Sequence, residues 1–234
     1  MPEDRYAARE VVRRERLHDG MKWDVVRDTF RFDGDDVRRE YLLHPGAVSV
    51  LAMDEQERVL LLRQYRHPVR HELWELPAGL LDEVDEPPVE AARRELWEEV
   101  DLRADRLDTL VDFLNSPGGS DEAQRVFLAR GVHEVPEDER YSRTAEEAGI
   151  VTAWFPLDDV IADVLAGRLQ NPGLAVAVLA ADAARRTGWA SLRPVDAPWP
   201  MHPRWRPEPR TDGPADGPAP RAAGHTGEQA RAST

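Results

Sequence analysis

The sequence predicts a mixed α/β fold, and three features of the chain support this prediction. Between residues 22 and 155, short runs of β-branched and aromatic residues alternate with turn signals, as expected of strands. Good helix formers at 91–100 interrupt these strands. Two apolar segments, 158–165 and 172–184, then follow helix-start signals. Strands and helices that alternate in this way fit one principal core.

Composition limits the classes of function. With 234 residues, of which 41% are hydrophobic, the chain can bury one substantial core and a small accessory element. Its net charge of -14 argues against a general nucleic-acid or membrane-surface binder, although metal ions could bridge it to small phosphorylated molecules. The absence of cysteine excludes disulfides, cysteine nucleophiles and thiolate zinc sites. No apolar run suits a signal peptide or a membrane span, so we expect a cytoplasmic protein.

The N-terminal region is expected to contain a β-hairpin. Residues 1–20 are polar and mixed in charge, which is compatible with a short helix or an unstructured lead. Segments 22–32 and 37–43 have strand composition and flank the turn signal Asp33-Gly34. Trp23 is then a core residue, an oligomer contact or a stacking surface for a base, and the first two together are favoured on general grounds.

A second hairpin is predicted farther along the chain. Segments 47–53 and 59–65 are apolar runs on either side of a polar turn, as in a sheet that is covered on both faces. Arg63 and Arg66 lie at the end of this hairpin. They either receive a phosphate or are ordinary surface residues, and the sequence favours neither interpretation.

The helix at 91–100 concentrates three carboxylates. Glu95, Glu98 and Glu99 share one narrow face of the helix, because Glu98 and Glu99 follow Glu95 by three and four residues, which is about one helical turn. Like charges at these spacings destabilise an exposed helix by roughly 0.2–0.5 kcal/mol per pair unless a cation neutralises them. Such hard oxygen ligands suit Mg²⁺ or Mn²⁺. The alternative is a solvated face on which Arg93 and Arg94 offset the glutamates.

The C-terminal half continues the pattern of strands and helices. Segments 107–114 and 124–129 are predicted strands around a loop with a strong Pro-Gly-Gly turn signal, and a polar loop at 131–148 precedes a strand at 150–155. Asp158 is expected to cap one helix and Asn171 another. From about residue 190 the chain becomes rich in Pro, Gly and Arg. We expect Trp199 and Trp205 to dock the start of this tail and residues from about 206 to be disordered.

Residues around the acidic helix resemble the Nudix box, which consists of a glycine, a glutamate and then R-E-U-x-E-E-x-G-U with U aliphatic. The matching residues are Gly79, Glu86, Arg94, Glu95, Leu96, Glu98, Glu99 and Leu102. Six residues, where five are usual, separate Gly79 from Glu86, and Asp101 replaces the glycine that ends the helix. Asp can adopt the left-handed conformation less readily than Gly, so we expect the helix end to survive at a modest cost in stability.

Two further segments resemble the ADP-ribose pyrophosphatase subgroup of this family. They are RQYR…ELPAG, within 63–79, and SPGGSDE at 116–122. The resemblance implies an α/β/α sandwich with a mixed sheet. It also implies hydrolysis of the pyrophosphate bond of ADP-ribose, or of a related nucleoside diphosphate sugar, to AMP and ribose 5-phosphate. The cofactor would be Mg²⁺, with Mn²⁺ as the alternative.

The resemblance also assigns roles to individual residues. Glu95 and Glu99 would bind metal, with Glu98 as a further ligand or a water-mediated contact that contributes to catalysis. The Ala78 carbonyl would be another metal ligand. Arg94 would orient the glutamates. The other residues with implied roles are the general base, Glu146 or alternatively Glu147; the substrate contacts Trp23, Arg63, Arg66, Glu75, Gly118 and Glu122; and the motif residues Gly79 and Glu86.

Members of the subgroup are typically homodimers that exchange N-terminal hairpins, so a homodimer is expected. The predicted division is therefore 1–45 as the dimer-forming hairpin region, 46–189 as the Nudix domain and 190–234 as the tail. One alternative is a Nudix hydrolase of another nucleotide, such as GDP-mannose, ADP-glucose, NADH or a nucleoside triphosphate. The other is a non-catalytic nucleotide-binding sensor.

Overall fold

Three α-helices, two short 3₁₀ helices and ten strands arranged in three sheets form the part of the chain that the computed structural model describes, residues 2–83, 85–143 and 149–205. The strands are β1 (Val11–His18), β2 (Asp24–Phe32), β3 (Asp35–Leu43), β4 (Ala47–Ala52), β5 (Arg58–Arg66), β6 (His71–Glu75), β7 (Ala78–Leu80), β8 (Leu102–Leu114), β9 (Ala123–Glu134) and β10 (Val151–Pro156). The α-helices are α1 (Pro88–Val100), α2 (Leu157–Leu165) and α3 (Pro172–Arg186). The mixed α/β prediction is thereby confirmed.

Strand β4 lies at the centre of the molecule. It pairs in parallel with β9 and antiparallel with β7, and all six of its residues are buried. Val48 and Val50 pack in the cluster that contains the apolar face of α1, whereas Leu51 packs in the cluster that contains α2 and α3. Because successive side chains of a strand point to opposite faces, β4 is covered by helices on both sides. This gives the α/β/α layering.

The predicted hairpin of β4 and β5 is wrong, although both strands are present. A single bridge, Met53 to Val59, joins them, and they then diverge into different sheets. β5 instead pairs with β6 and β10. Both strands are apolar on both faces, so their sequences carry no alternation that would specify a partner.

The N-terminal sheet has the order β1-β2-β3. The hairpin β2–β3 is confirmed, and its turn places Asp33 and Gly34 at φ 51° and 94°. Residues 11–18, expected to be helical or unstructured, form the additional strand β1. Its side chains are almost all exposed, so it lacks the apolar alternation that announces a strand.

One buried carboxylate joins all three strands of this sheet. Asp28 of β2 accepts hydrogen bonds from Arg14 of β1, at 2.7 and 2.8 Å, and from the Tyr41 hydroxyl of β3, at 2.7 Å. Burial raises the pKa of Asp28, but the hydrogen bonds from Arg14 and Tyr41 outweigh it, and the net pKa lies below the ordinary value.

This arrangement predicts that acid loosens the N-terminal sheet. A depressed carboxyl pKa contributes stability above the ordinary pKa of 3.8, and this contribution is lost as the pH falls through the folded-state pKa. Hydrogen exchange in β1 to β3, corrected for its intrinsic pH dependence, should therefore accelerate as the pH falls below the ordinary carboxyl pKa of 3.8. In Asp28→Asn protection should already be weak at neutral pH. An identical acid profile in both proteins would contradict this assignment.

The segment that follows α3 packs against the sheet. Arg125 of β9 donates to the carbonyls of Ala197, at 2.8 Å, and Pro198, at 3.2 Å. Trp199 is 5% exposed and belongs to the core, so its predicted docking is observed. The folded body therefore continues beyond residue 189, and the tail segment 206–234 lies outside the described residues.

The starts of the two C-terminal helices differ from each other. Asn171 caps α3 by accepting from the Leu174 N–H at 2.9 Å, as predicted. Asp158 was expected to cap α2, but it lies in the first turn, after an N-cap at Pro156, and pairs with Arg185. No helix in the described ranges is long and apolar enough to cross a membrane.

Candidate active site

Helix α1 is placed by its own sequence. Pro88 occupies the first turn, where an N–H has no partner within the helix. Ala91, Ala92, Leu96 and Val100 are buried and pack against β4 and β9. This apolar stripe fixes the rotation of the helix, and the adjacent face carries the three glutamates.

Glu95 and Glu99 point from α1 toward β7. Both residues are only 9% exposed. A Glu99 carboxylate oxygen accepts from the Ala78 N–H at 2.8 Å. A Cβ added to Gly79 would lie 1.9 Å from Glu95 Oε1, so this position has no room for a side chain. The sequence-predicted Ala78, Gly79, Glu95 and Glu99 are therefore brought together at one place.

Arg94 gathers the remaining acidic residues of the motif. Its guanidinium contacts both carboxylate oxygens of Glu86 at 3.0 Å, Glu95 at 2.5 Å and Glu98 at 3.2 Å. Hydrogen bonding to Glu86 raises the pKa of Arg94 despite the opposing effect of burial, so its charge is permanent. One positive charge thus faces three negative ones, and the orienting role of Arg94 stays a prediction.

The donor set at this site fits a hard divalent cation. Its carboxylates are oxygen-only ligands that carry excess negative charge, and they are largely withdrawn from solvent. Within residues 2–83, 85–143 and 149–205, no three acidic or histidine side chains are already arranged as a metal cage. Glu95 is turned toward Arg94 and Glu99 toward the Ala78 amide. A metal ion bound here would therefore compete with these contacts.

The predicted substrate contacts on β5 and β6 form ion pairs with each other and with their neighbours. Glu75 is 3% exposed and binds Arg66 in a fork, with Nη2 to Oε2 at 2.7 Å and Nε to Oε1 at 3.0 Å. Arg63 lies over the Trp74 ring at 5.5 Å and 3.8 Å from Glu72. Glu75 ends β6 and precedes Ala78, the first residue of β7, by three residues along the chain.

A second group of predicted substrate contacts gathers where the N-terminal sheet meets loop 115–122. Trp23 stacks on His44 with ring centroids 5.5 Å apart, and the main-chain N–H of His44 donates to Asp121 Oδ1 at 2.8 Å. Glu122 accepts from Asn115 at 3.0 Å. Trp23 is 44% exposed, so the interpretation as a core residue is wrong, whereas an oligomer contact and base stacking both stay predictions.

Two features of this second group, the open surface at Gly118 and the charge of His44, affect how it could bind a ligand. A side chain at Gly118 would meet nothing within 4 Å, so the loop surface there is open. Burial lowers the pKa of His44, and the negative charges of Glu122 and Asp121 offset this only in part. A neutral His44 gives Trp23 an uncharged stacking partner. Sequence reasoning did not identify His44, because no motif surrounds it.

Two other results concern the C-terminal end of α1 and the predicted general base. Asp101 adopts the left-handed conformation at the end of α1, with φ 54° and ψ 37°, so the helix end survives as expected. Sequence reasoning missed its ion-pair partner Arg143. Glu146 and Glu147 lie outside the described residues, and the identity of the general base stays a prediction.

Comparison with known proteins gives a consistent result. The NUDIX domain model matches residues 43–173. The chain is 42% identical over 191 residues to an ADP-ribose pyrophosphatase of Mycobacterium tuberculosis, covering 81% of this chain and 90% of that protein. It is 35% identical over 136 residues to an ADP-ribose pyrophosphatase of Bacillus subtilis, covering 55% and 73%. A solved ADP compounds hydrolase shares the fold with a TM-score of 0.61 at 19% identity, covering 80% of this chain and 100% of that one.

Proposed function

Since this chain belongs to the Nudix family, we propose that it hydrolyses the pyrophosphate bond of ADP-ribose, or of a related nucleoside diphosphate sugar. The products would be AMP and ribose 5-phosphate when ADP-ribose is the substrate. One observation carries this proposal. The buried carboxylates of Glu95 and Glu99 converge on the backbone of Ala78 and Gly79, beside glutamates that Arg94 holds in place.

The proposed chemistry needs a divalent cation, for which we propose Mg²⁺. A pyrophosphate resists hydrolysis because its negative charge repels an attacking water. A bound cation neutralises phosphate oxygens and lowers the pKa of a water. Glu95, Glu99, Glu98 and the Ala78 carbonyl are the proposed ligands. Their excess negative charge, which Arg94 offsets only in part, supports this assignment.

Arg94 has two roles in this proposal. It holds Glu86 and Glu98 by charge-assisted hydrogen bonds and so limits their motion. It would also yield Glu95 to a bound cation, because the cation would compete for a carboxylate that now faces the guanidinium at 2.5 Å. The fork to Glu86 keeps Arg94 in place during this exchange. The proton of the attacking water would pass to Glu146 or, alternatively, Glu147.

The substrate would extend on either side of the carboxylates. Arg66 is fixed by Glu75 and is 46% exposed, so it is a candidate for contact with the diphosphate. Glu122, Gly118 and the exposed face of Trp23 lie together at the junction of the N-terminal sheet, where a base or a sugar could be held. Arg63 is half-exposed at the end of β5 and is a further candidate for the diphosphate.

A substrate panel tests the proposed function. The purified protein would be incubated with Mg²⁺ and ADP-ribose, ADP-glucose, GDP-mannose, NADH or ATP, and the products would be resolved by chromatography. AMP released fastest from ADP-ribose would support the proposal. A preference for another nucleotide would retain the hydrolase and change its specificity. Tight nucleotide binding with no turnover of any substrate would favour the sensor.

We also propose a homodimer formed through the N-terminal sheets. β1 is an edge strand, and its Val11, Val12 and Leu17 are 41–46% exposed, as expected of a surface awaiting a partner. Light scattering should give about twice the chain mass of 26.5 kDa. Val12→Asp should shift the protein toward monomer, whereas Leu165→Asp, on a residue 73% exposed in α2, should not. A monomeric wild type would contradict the proposal.

A cytoplasmic location stays a prediction of the sequence.

A further inference from the structure

The C-terminal end of α1 is held by two residues that the proposed chemistry does not use, Asp101 and Arg143. Asp101 lies in the left-handed region at φ 54° and ψ 37°, and its N–H donates to the carbonyls of Leu96 and Trp97. A residue with a Cβ is strained in this conformation, whereas glycine is not. Aspartate adopts this conformation less readily than glycine, but its side chain can make an interaction that glycine cannot provide.

Arg143 provides that interaction from a separate segment. Its Nη2 lies 2.6 Å from Asp101 Oδ2, and its Nε donates to the main-chain carbonyl of Glu98 at 2.7 Å. The Asp101 and Arg143 side chains are only 18% and 23% exposed. The contact between Arg143 and Asp101 is an ion pair without hydrogen-bond geometry. Neither Arg143 Nη2 nor Asp101 Oδ1 has a hydrogen-bond partner among the described residues. Arg143 thus contacts both the last turn of α1 and its cap.

The last turn of α1 needs such a cation. It contains no basic residue of its own, yet it carries Glu98 and Glu99. Carboxylates at a C-terminus face the negative end of the helix dipole, and a cation there is favourable. Arg143 supplies the positive charge and also satisfies the Glu98 carbonyl, one of the four that a helix leaves without an internal partner.

The segment that carries Arg143 is itself fixed to the helix. The Val135 N–H donates to the Asp101 carbonyl at 2.8 Å. Trp97 of α1 donates from Nε1 to the Glu139 carbonyl at 3.0 Å and meets the Tyr141 ring edge-on, with centroids 5.5 Å apart. Arg143 is therefore presented to the helix end by several contacts.

We propose that Asp101 and Arg143 are positioning residues, which together fix the last turn of α1 and so set the Glu98 and Glu99 carboxylates relative to Ala78. The aspartate that replaces the motif glycine then helps to position the metal-binding carboxylates. The inference rests on the proposed metal-dependent hydrolysis, because it concerns the carboxylates assigned to the cation.

The test compares metal binding among variants of the full chain. Arg143→Ala and Asp101→Gly each remove the ion pair. Arg143→Lys keeps the charge but not the guanidinium that contacts both Asp101 and the Glu98 carbonyl. Arg140→Ala is the matched control, because Arg140 lies in the same segment and its described side-chain contacts are to the Val135 carbonyl and the Glu134 carboxylate, not to α1 or Asp101. Mn²⁺ affinity would be measured by electron paramagnetic resonance, beside the Mg²⁺ concentration that gives half-maximal hydrolysis. All measurements would be made where circular dichroism shows each protein to be folded.

Arg143→Ala and Asp101→Gly should each weaken Mn²⁺ binding about tenfold, as expected when the support of a metal ligand is lost. Arg143→Lys should recover part of the affinity, and the double variant should be no worse than either single one. If Arg143→Ala does not fold, Asp101→Gly and Arg143→Lys decide the question. Wild-type Mn²⁺ affinity in Asp101→Gly would overturn the inference while leaving the hydrolase intact. A wild type that neither binds Mn²⁺ nor hydrolyses any substrate would remove the proposed function and this inference with it.

Discussion

Glu99→Gln is expected to lower the rate of Mg²⁺-dependent ADP-ribose hydrolysis by about a thousandfold. Charge neutralisation by a bound cation is worth several kcal/mol in such a transition state, and about 1.4 kcal/mol corresponds to tenfold in rate. The amide of Gln can still accept from the Ala78 N–H that Glu99 now engages, so the fold should persist. The loss would therefore be one of charge rather than of structure. Rates at saturating substrate would be compared by chromatography of the released AMP.

Glu90→Gln is the matched control for this experiment. Glu90 belongs to the first turn of the same helix and is exposed to solvent, outside the carboxylate cluster. Its neutralisation should leave the rate within about twofold of wild type, because surface substitutions away from a site have small effects. Similar rates for Glu99→Gln and wild type would show that Glu99 does not hold the reactive cation.

Gly79→Ala is expected to damage both stability and activity. The new Cβ would lie 1.9 Å from Glu95 Oε1 and 2.2 Å from its Cδ, so the Glu95 side chain must leave its place. Forcing an extra methyl into a filled site typically costs about 1–3 kcal/mol of folding stability. Displacing a metal-binding carboxylate should also reduce the hydrolysis rate by about a hundredfold, comparable to about 2.7 kcal/mol of transition-state stabilisation.

Thermal unfolding would measure the stability part of this prediction. Gly119→Ala serves as the stability control, since a Cβ at Gly119 meets nothing within 4 Å and its φ is not positive. The melting temperature of Gly79→Ala should fall by several degrees relative to that control. Gly79→Ala with wild-type melting and wild-type activity would show that Glu95 can move without consequence.

The parts of the site that could be predicted from sequence are those with local signals. The position of α1 follows from Pro88 and the good helix formers after it, and the facing of Glu95 and Glu99 follows from their separation by one turn. The turn at Asp33 and Gly34 likewise announces the β2–β3 hairpin. In each case the residues that decide the structure are neighbours along the chain.

The parts that could not be predicted depend on distant contacts. The buried stretches of β4 and β5 are apolar on both faces, so nothing in either strand specifies that they join different sheets. β1 is too polar to be recognised and is recruited by pairing with β2. Arg143 comes from a polar loop with no helical or strand signal, and only the folded chain brings it to Asp101. The roles of Glu146 and Glu147 rest on resemblance alone.

The most direct test of the carboxylate site is anomalous diffraction from crystals grown with Mn²⁺ and a non-hydrolysable methylene analogue of ADP-ribose. We expect Mn²⁺ to be bound by oxygens of Glu95 and Glu99 and by the diphosphate, at the roughly 2.0–2.2 Å expected for a small divalent cation. Arg94 should then have released Glu95 while keeping its fork to Glu86. Mn²⁺ bound to the analogue elsewhere, with Glu95 and Glu99 still engaged by Arg94 and the Ala78 amide, would contradict the assignment of this site.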